Sequence, residues 1–249
     1  MAPAPTANRL LVLTGGIITC SLRDAGRAIG GYAFATTPLR PGRVPSAVGT
    51  GPSATERAKW SAEIYDFQPA KRGPLTYYDL IVNIGLSSQI KETAISGMLA
   101  VVHEVNRDLT KIPAATKFWD LPNADAKIAP RGSTLWHMWR AIELLDAVPG
   151  VGFTIAHKTL HHKRPAVFPL LDNETTRDCL PYDASWMIIH SDLTTQARSF
   201  NALEKWFAAE AAARKRPGLT RLRMHDIIVW LKVKGQWDDA VADGAKLGF

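Results

Sequence analysis

Residues 134–163 hold the feature that most restricts the fold, two helical stripes interrupted by Pro149, Gly150, Val151 and Gly152. Trp136, Trp139, Ile142, Leu144 and Leu145 recur at helical spacing from Thr134 to Ala147, and Ser133 or Thr134 can cap that start. Pro149 and Gly150 stop the helix, and Gly152 permits a backbone geometry closed to other residues. From Phe153 to His162 a second stripe resumes with Ile155, Ala156, Thr159 and Leu160. The pattern predicts helix, tight turn, helix. Glycines let another backbone approach closely, and the amides opening the second helix lie at its positive dipole end, beyond reach of any helical carbonyl. The turn, from Gly150 through Val151 and Gly152 to Phe153 and Thr154, is a predicted phosphate seat.

The second helix is basic. His157, Lys158, His161, His162, Lys163 and Arg164 would neutralise flanking phosphates, or equally would form a solvated helix end. His157 and His161 have the four-residue spacing of a zinc pair, but residue 158 is Lys rather than Glu and no third ligand is obvious, so no metal is expected. Downstream, the run Val167-Phe168-Pro169-Leu170-Leu171 ends in Asp172, and Asn173-Glu174-Thr175-Thr176 reads as the first turn of a helix that Asp172 caps.

This segment resembles the helix-hairpin-helix (HhH-GPD) DNA glycosylase superfamily. Its signature is Leu-Pro-Gly-Val-Gly, a helix, then an apolar stretch ending in a catalytic Asp with Arg further on. Val148 replaces the leading Leu, twenty residues separate Gly152 from Asp172 as in that family, and Arg177 follows at the family's five-residue offset. The resemblance covers about a fifth of the chain. It is also similar to a group of bacterial proteins carrying Pro-Gly-Val-Gly, Lys-Arg-Pro and a Leu-Arg-x-x-Asp-Ile-Ile-x-Trp helix, here Leu222 to Trp230.

The resemblance implies an all-α, two-lobed fold with the active cleft between the lobes, and double-stranded DNA as the partner. It implies that Asp172 stabilises the cation developing on the sugar as a base leaves, and orients or deprotonates an attacking water. DNA contacts would come from the turn and from Lys158, His161, Lys163, Arg164 and Arg177. Bifunctional members place a Schiff-base Lys two residues after the last glycine, where this chain has Thr154; a hydroxyl cannot form the imine. A monofunctional enzyme that leaves an abasic site is therefore implied, with Lys158, one turn beyond Thr154 on the same face, as a second catalytic candidate. Base flipping requires stacking faces, for which Trp136, Tyr182 and Trp186 are candidates. The base could be damaged, or, given a roomy pocket, a bulky glycosylated cytosine of phage DNA excised in defence. The alternative is a non-catalytic hairpin module that binds DNA. No cofactor is implied beyond room for a monovalent cation in the hairpin.

A net charge of +7 suits a polyanionic partner, and also fits membrane-surface or ribosomal contacts. At 249 residues the chain can bury one sizeable core or two small lobes, and a monomer is expected. Two cysteines, Cys20 and Cys179, exclude a disulfide framework and a four-cysteine iron–sulfur cluster and fit a reducing cytoplasm. Arg9 followed by Leu10-Leu11-Val12-Leu13 mimics a signal peptide, but Thr19 before Cys20 is a poor cleavage residue, so export is discounted. No run approaches the eighteen or so apolar residues that span a bilayer.

Three regions are expected. Residues 1–55 are Pro/Gly-rich, a short helix near Leu22 to Ile29 followed by a loose connector. Residues 56–130 form an N-terminal helical lobe, with Leu80 and Ile84 striping Thr76 to Leu86, Ile95, Leu99 and Val102 striping Ile90 to Leu109, and a Pro-rich joint from Lys117 to Arg131. Residues 131–249 carry the hairpin, a helix from Thr194 to Ala213 and another from Leu222 to Val233 ended by Gly235. In that last helix Asp226, beside His225, interrupts the apolar face and reads as a structural polar contact. Strand propensity is low.

Overall fold

A computed structural model describes residues 9–35, 62–68, 73–86, 88, 90–181 and 183–249. Nearly all their regular structure is helical, as expected. The helices are α1 (Leu22–Phe34), α2 (Tyr77–Ile81), α3 (Glu92–Leu109), α4 (Thr134–Asp146), α5 (Gly152–Lys163), α6 (Asn173–Asp178), α7 (Ser185–Thr195), α8 (Ala197–Ala213), α9 (Arg221–Val233) and α10 (Trp237–Lys246). Single helical turns occupy Ala62–Asp66, Val82–Leu86, Phe118–Asp120 and Ala126–Ile128.

Polar residues just before several helices start them. Ser21 Oγ accepts from Asp24 N at 3.0 Å on α1, Ser133 Oγ from Trp136 N at 3.2 Å on α4, and Thr220 Oγ1 from Arg223 N at 3.3 Å on α9. Each such cap contributes about 1 kcal/mol by satisfying an amide that the helix itself cannot. Thr76 and Asp79 form a reciprocal capping box on α2.

Two strands precede α1. β1 (Leu10–Leu13) pairs antiparallel with β2 (Ile18–Ser21), Leu11 opposite Cys20, so the leucine run that mimics a leader is a strand with Leu11 and Leu13 in the core. The helix expected near Leu22 to Ile29 runs on to Phe34. α1 crosses α10 backbone to backbone: a Cβ on Gly31 would lie 2.0 Å from the Ala240 carbonyl oxygen, and one on Gly244 would lie 2.1 Å from the Arg27 carbonyl oxygen. β1, β2 and α1 thus share one core with the C-terminal helices. The expected connector, residues 36–55, lies outside the described residues.

One contiguous core extends from Leu11 to Phe249, and a satellite of Tyr65, Val82 and Leu170 lies apart from it. The expected helix from Thr194 to Ala213 is divided at Gln196, with α7 ending before it and α8 starting after it.

Candidate functional site

α4 and α5 meet at the glycine turn. Gly150 (φ 83°) and Gly152 (φ 66°) both occupy the left-handed region, which side chains disfavour. Val148 and Val151 are buried while Pro149, Gly150 and Gly152 are exposed, so the turn is anchored from below and presents bare backbone outward. α3 supports it from behind, because a Cβ on Gly97 would come within 2.5 Å of Val148 Cγ1. No side chain caps α5 and no acid lies in its first turn, which leaves the positive dipole end unopposed by them.

Asp172 caps α6. Its Oδ1 accepts from Thr175 N at 2.9 Å, and its carbonyl accepts from the Thr175 and Thr176 hydroxyls at 3.1 and 2.9 Å. The next residue meets the hairpin: the Thr154 hydroxyl donates to Asn173 Oδ1 at 2.9 Å. Thr154 lies in the first turn of α5, so the glycine turn and the candidate carboxylate are joined through one side-chain pair.

Burial changes the reading of the basic residues on α5. Lys158 is 8% exposed, and its Nζ donates to the Leu86 carbonyl at 3.0 Å and to Ser88 Oγ at 3.3 Å. Lys163 Nζ donates to the Pro74 carbonyl at 2.8 Å and to the fully buried Asp79 at 3.2 Å. Arg164 donates to the Ile112 and Pro113 carbonyls at 2.9 and 2.5 Å, closing the loop after α3. His161 Nδ1 bonds the Phe168 carbonyl at 2.7 Å. His161, Lys163 and Arg164, the expected phosphate contacts, are thus engaged by neighbouring segments of the chain.

His157 and His161 are also uncharged at neutral pH. Burial pushes His157 down to about 3, and burial with the Arg223 charge beside it pushes His161 down to about 3. His157 Nδ1 faces the Phe153 carbonyl at 3.0 Å while its Nε2 accepts from Trp186 Nε1 at 3.0 Å, which fixes the neutral tautomer with hydrogen on Nδ1. Among the described residues no three His, Cys, Asp or Glu side chains converge as a metal site.

Arg177 stays exposed on α6 and pairs with Asp178 at 2.6 Å. Trp136 is half-buried, with the Arg140 guanidinium 5.4 Å from its ring centre. Trp186, an expected stacking face, is 3% exposed and edge-on to Trp139 and Phe118 at 5.2 and 5.8 Å; with Trp139 it lines a small pocket beside Lys127 and Asp183. Tyr182 lies outside the described residues.

A buried ionic network adjoins these elements; the sequence points to a structural polar contact for Asp226 but singles out none of Arg223, Asp66 and Tyr32 as partners in it. Arg223 on α9 donates to Asp66 Oδ1 and Oδ2 at 2.5 and 2.8 Å, to the Tyr32 hydroxyl at 2.5 Å, and to Asp226. Its guanidinium lies 5.3 and 5.5 Å from the Tyr32 and Tyr65 ring centres. Tyr65 in turn donates to the Lys158 carbonyl at 2.6 Å. The Leu222 to Trp230 motif carried the signal, since an Arg and an Asp three apart on one helix share a face.

Helices, a glycine turn between two of them and an acid-capped third define a helical protein organised around a helix, tight turn and helix. The chain belongs to DUF6308, a family of unknown function that matches residues 53–233, a span that includes the turn, Asp172 and the Arg223 network. No curated protein and no solved structure matches it. Among the described residues no helix is long and apolar enough to cross a membrane.

Proposed function

We propose that the protein is a monofunctional DNA glycosylase of the helix-hairpin-helix kind, which flips a damaged or modified base from the duplex and hydrolyses its N-glycosidic bond. The observation that carries this reading is the Thr154–Asn173 hydrogen bond, which places Asp172 next to a glycine turn suited to a phosphate. A DNA strand seated on the exposed Gly150 and Gly152 backbone brings its deoxyribose toward Asp172. The carboxylate then stabilises the positive charge that grows on the sugar and orients a water for attack. Asp172 is held ready for this by the Thr175 amide on Oδ1, a bond that fixes the direction of the carboxylate.

Strand cleavage is not part of the proposal. Thr154 has no amine, and the Lys158 ammonium is directed at the Leu86 carbonyl. A defence role, excising glycosylated cytosines from phage DNA, is a variant of the same chemistry with a larger base. The non-catalytic reading is favoured by one observation, that Asp172 already has a structural duty as the cap of α6. Asp172→Asn separates them, because Asn caps helices as well as Asp does. Under the enzymatic reading this variant binds duplex DNA and releases no base; a binding module keeps all its activities.

A further inference from the structure

We propose that the pocket between Trp139 and Trp186 holds a single pyrimidine base, stacked on an indole and met at its hydrogen-bonding edge by Lys127 and Asp183. That this base arrives flipped from a duplex rests on the glycosylase reading; the fit of the pocket to a pyrimidine does not.

The walls are set before any ligand enters. Trp139 on α4 and Trp186 on α7 stand edge to face at 84°, their ring centres 5.2 Å apart. Trp139 Nε1 donates to Glu143 Oε1 at 2.8 Å and Trp186 Nε1 to His157 Nε2 at 3.0 Å. Each indole is thereby held in one orientation, and its single N–H is spent outside the pocket. The walls offer rings and the Met187 thioether, which favours a flat guest stacked on one indole with its edge toward the other. The pocket has a volume of about 80 Å³ and opens to solvent. A closed apolar cavity of about 150 Å³ takes benzene. The smaller, open pocket therefore holds one six-membered ring whose outer edge stays at the mouth, and two fused rings exceed it.

The polar groups choose among single rings. Lys127, from the Ala126–Ile128 turn, and Asp183, just before α7, both line the pocket and pair with each other at 3.7 Å. Both side chains are exposed, so the pair contributes little to stability and yields readily to a ligand that satisfies both. An ammonium donates and a carboxylate accepts. The Watson–Crick edge of a pyrimidine carries the complement on adjacent atoms, an acceptor beside an N–H or amino group, whereas a phenyl ring offers neither. The net charge of +7 also suits a ligand that comes on a phosphate chain.

The pocket hangs on the helix that carries the hairpin. His157, which holds Trp186, lies three residues along α5 from Thr154 on the same face, and Thr154 bonds Asn173, the neighbour of Asp172. Under the glycosylase reading, the base in the pocket and the sugar beside Asp172 belong to one nucleotide.

A single strand presents its bases without the cost of unpairing. Binding is therefore measured on the full chain with labelled oligothymidylate, oligodeoxyadenylate and an abasic strand of the same length and charge. The expected result is about tenfold or tighter binding of oligothymidylate than of either other strand, and a shift of the Trp139 and Trp186 indole N–H resonances with oligothymidylate alone. Trp139→Leu removes one wall, and Met187→Trp fills the pocket from a position that is 39% exposed and tolerant of a larger side chain. Each variant should reduce the preference to about twofold or less while binding the abasic strand as the native chain does. No preference for oligothymidylate overturns the proposal, as does a preference that survives Met187→Trp. N-acetylphenylalaninamide shifting both indole resonances at lower concentration than thymidine assigns the pocket to a protein side chain and overturns it too. Preferred binding of oligothymidylate by a chain that releases no base from any duplex supports the pocket and refutes the glycosylase reading.

Discussion

The Thr154 hydroxyl and Asn173 Oδ1 are 2.9 Å apart, and this bond ties the first turn of α5 directly to the start of α6. Its loss leaves both helices formed but releases the position of Asp172 relative to the glycine turn. Displacement of a catalytic group by about 1 Å can cost on the order of a hundredfold in rate. Thr154→Val is therefore expected to lower single-turnover base release by about tenfold to a hundredfold while changing the melting temperature little. Borohydride treatment of the native chain with DNA should trap no covalent adduct; an adduct through Lys158 contradicts the monofunctional mechanism.

Gly152 has open space around the position of a Cβ, so a side chain there meets only the cost of its left-handed φ of 66°. That cost is about 1 kcal/mol for alanine. Gly152→Ala should lose that much stability in denaturant titration, yet lose DNA affinity more than tenfold, because its methyl group intrudes where the strand approaches. Unchanged affinity removes the turn from the DNA interface.

Lys163 and Asp79 separate a structural role from a DNA contact. Both side chains are buried, 3.2 Å apart, and the acid also lies 3.6 Å from His162. Breaking a buried pair by removing one partner costs about 3 kcal/mol, because the other is left without its counter-charge. Lys163→Met should cost about that much in chemical denaturation and leave the salt dependence of DNA binding unaltered, since no phosphate contact is lost. A reduced salt slope with native stability contradicts this assignment.

Stability should fall toward acid. His157 and His161 protonate at about 3 in the folded chain, below their ordinary value of 6.5, so the unfolded chain holds more protons between these limits. Their contribution is complete above 6.5 and is lost progressively as pH drops toward 3. Asp226, raised to about 7 from 3.8, acts in the opposite sense: its contribution is present below 3.8 and is lost as pH rises through 7. Where the ranges overlap, between 3.8 and 6.5, two histidines oppose one acid, so unfolding takes up one net proton from these three groups. Denaturant titrations should accordingly show a loss of about 1.4 kcal/mol per pH unit across that interval from these three groups. The His161→Gln variant should flatten it, and a native profile already flat is inconsistent with neutral buried histidines.

Local chemistry made the hairpin legible. Ser133, Pro149, Gly150 and Gly152 each encode a cap, a stop or a backbone angle within a few residues, and Asp172 reads as a cap for the same reason. What covers a helix is set elsewhere in the chain. Lys163 looks like a solvated or phosphate-facing cation until Asp79, far away in sequence, is packed beneath it, and Arg164 until the loop after α3 closes on it. Trp186 sits at helical spacing for either a pocket or a core, and only Phe118, Trp139 and His157 around it decide. The crossing of α1 with α10 depends on Gly31 and Gly244, whose spacing in the sequence gives no hint that they meet. β1 was concealed for another reason, since four apolar residues in a row carry no period of their own.

The most direct test of the central claim counts abasic sites after incubating the native chain and Asp172→Asn with defined duplexes and with modified phage genomes. The account predicts abasic sites on at least one substrate with the native chain, and none above background with Asp172→Asn despite retained binding. Equal release by both chains contradicts a catalytic role for Asp172, and DNA binding with no release by either would leave the hairpin as a binding module.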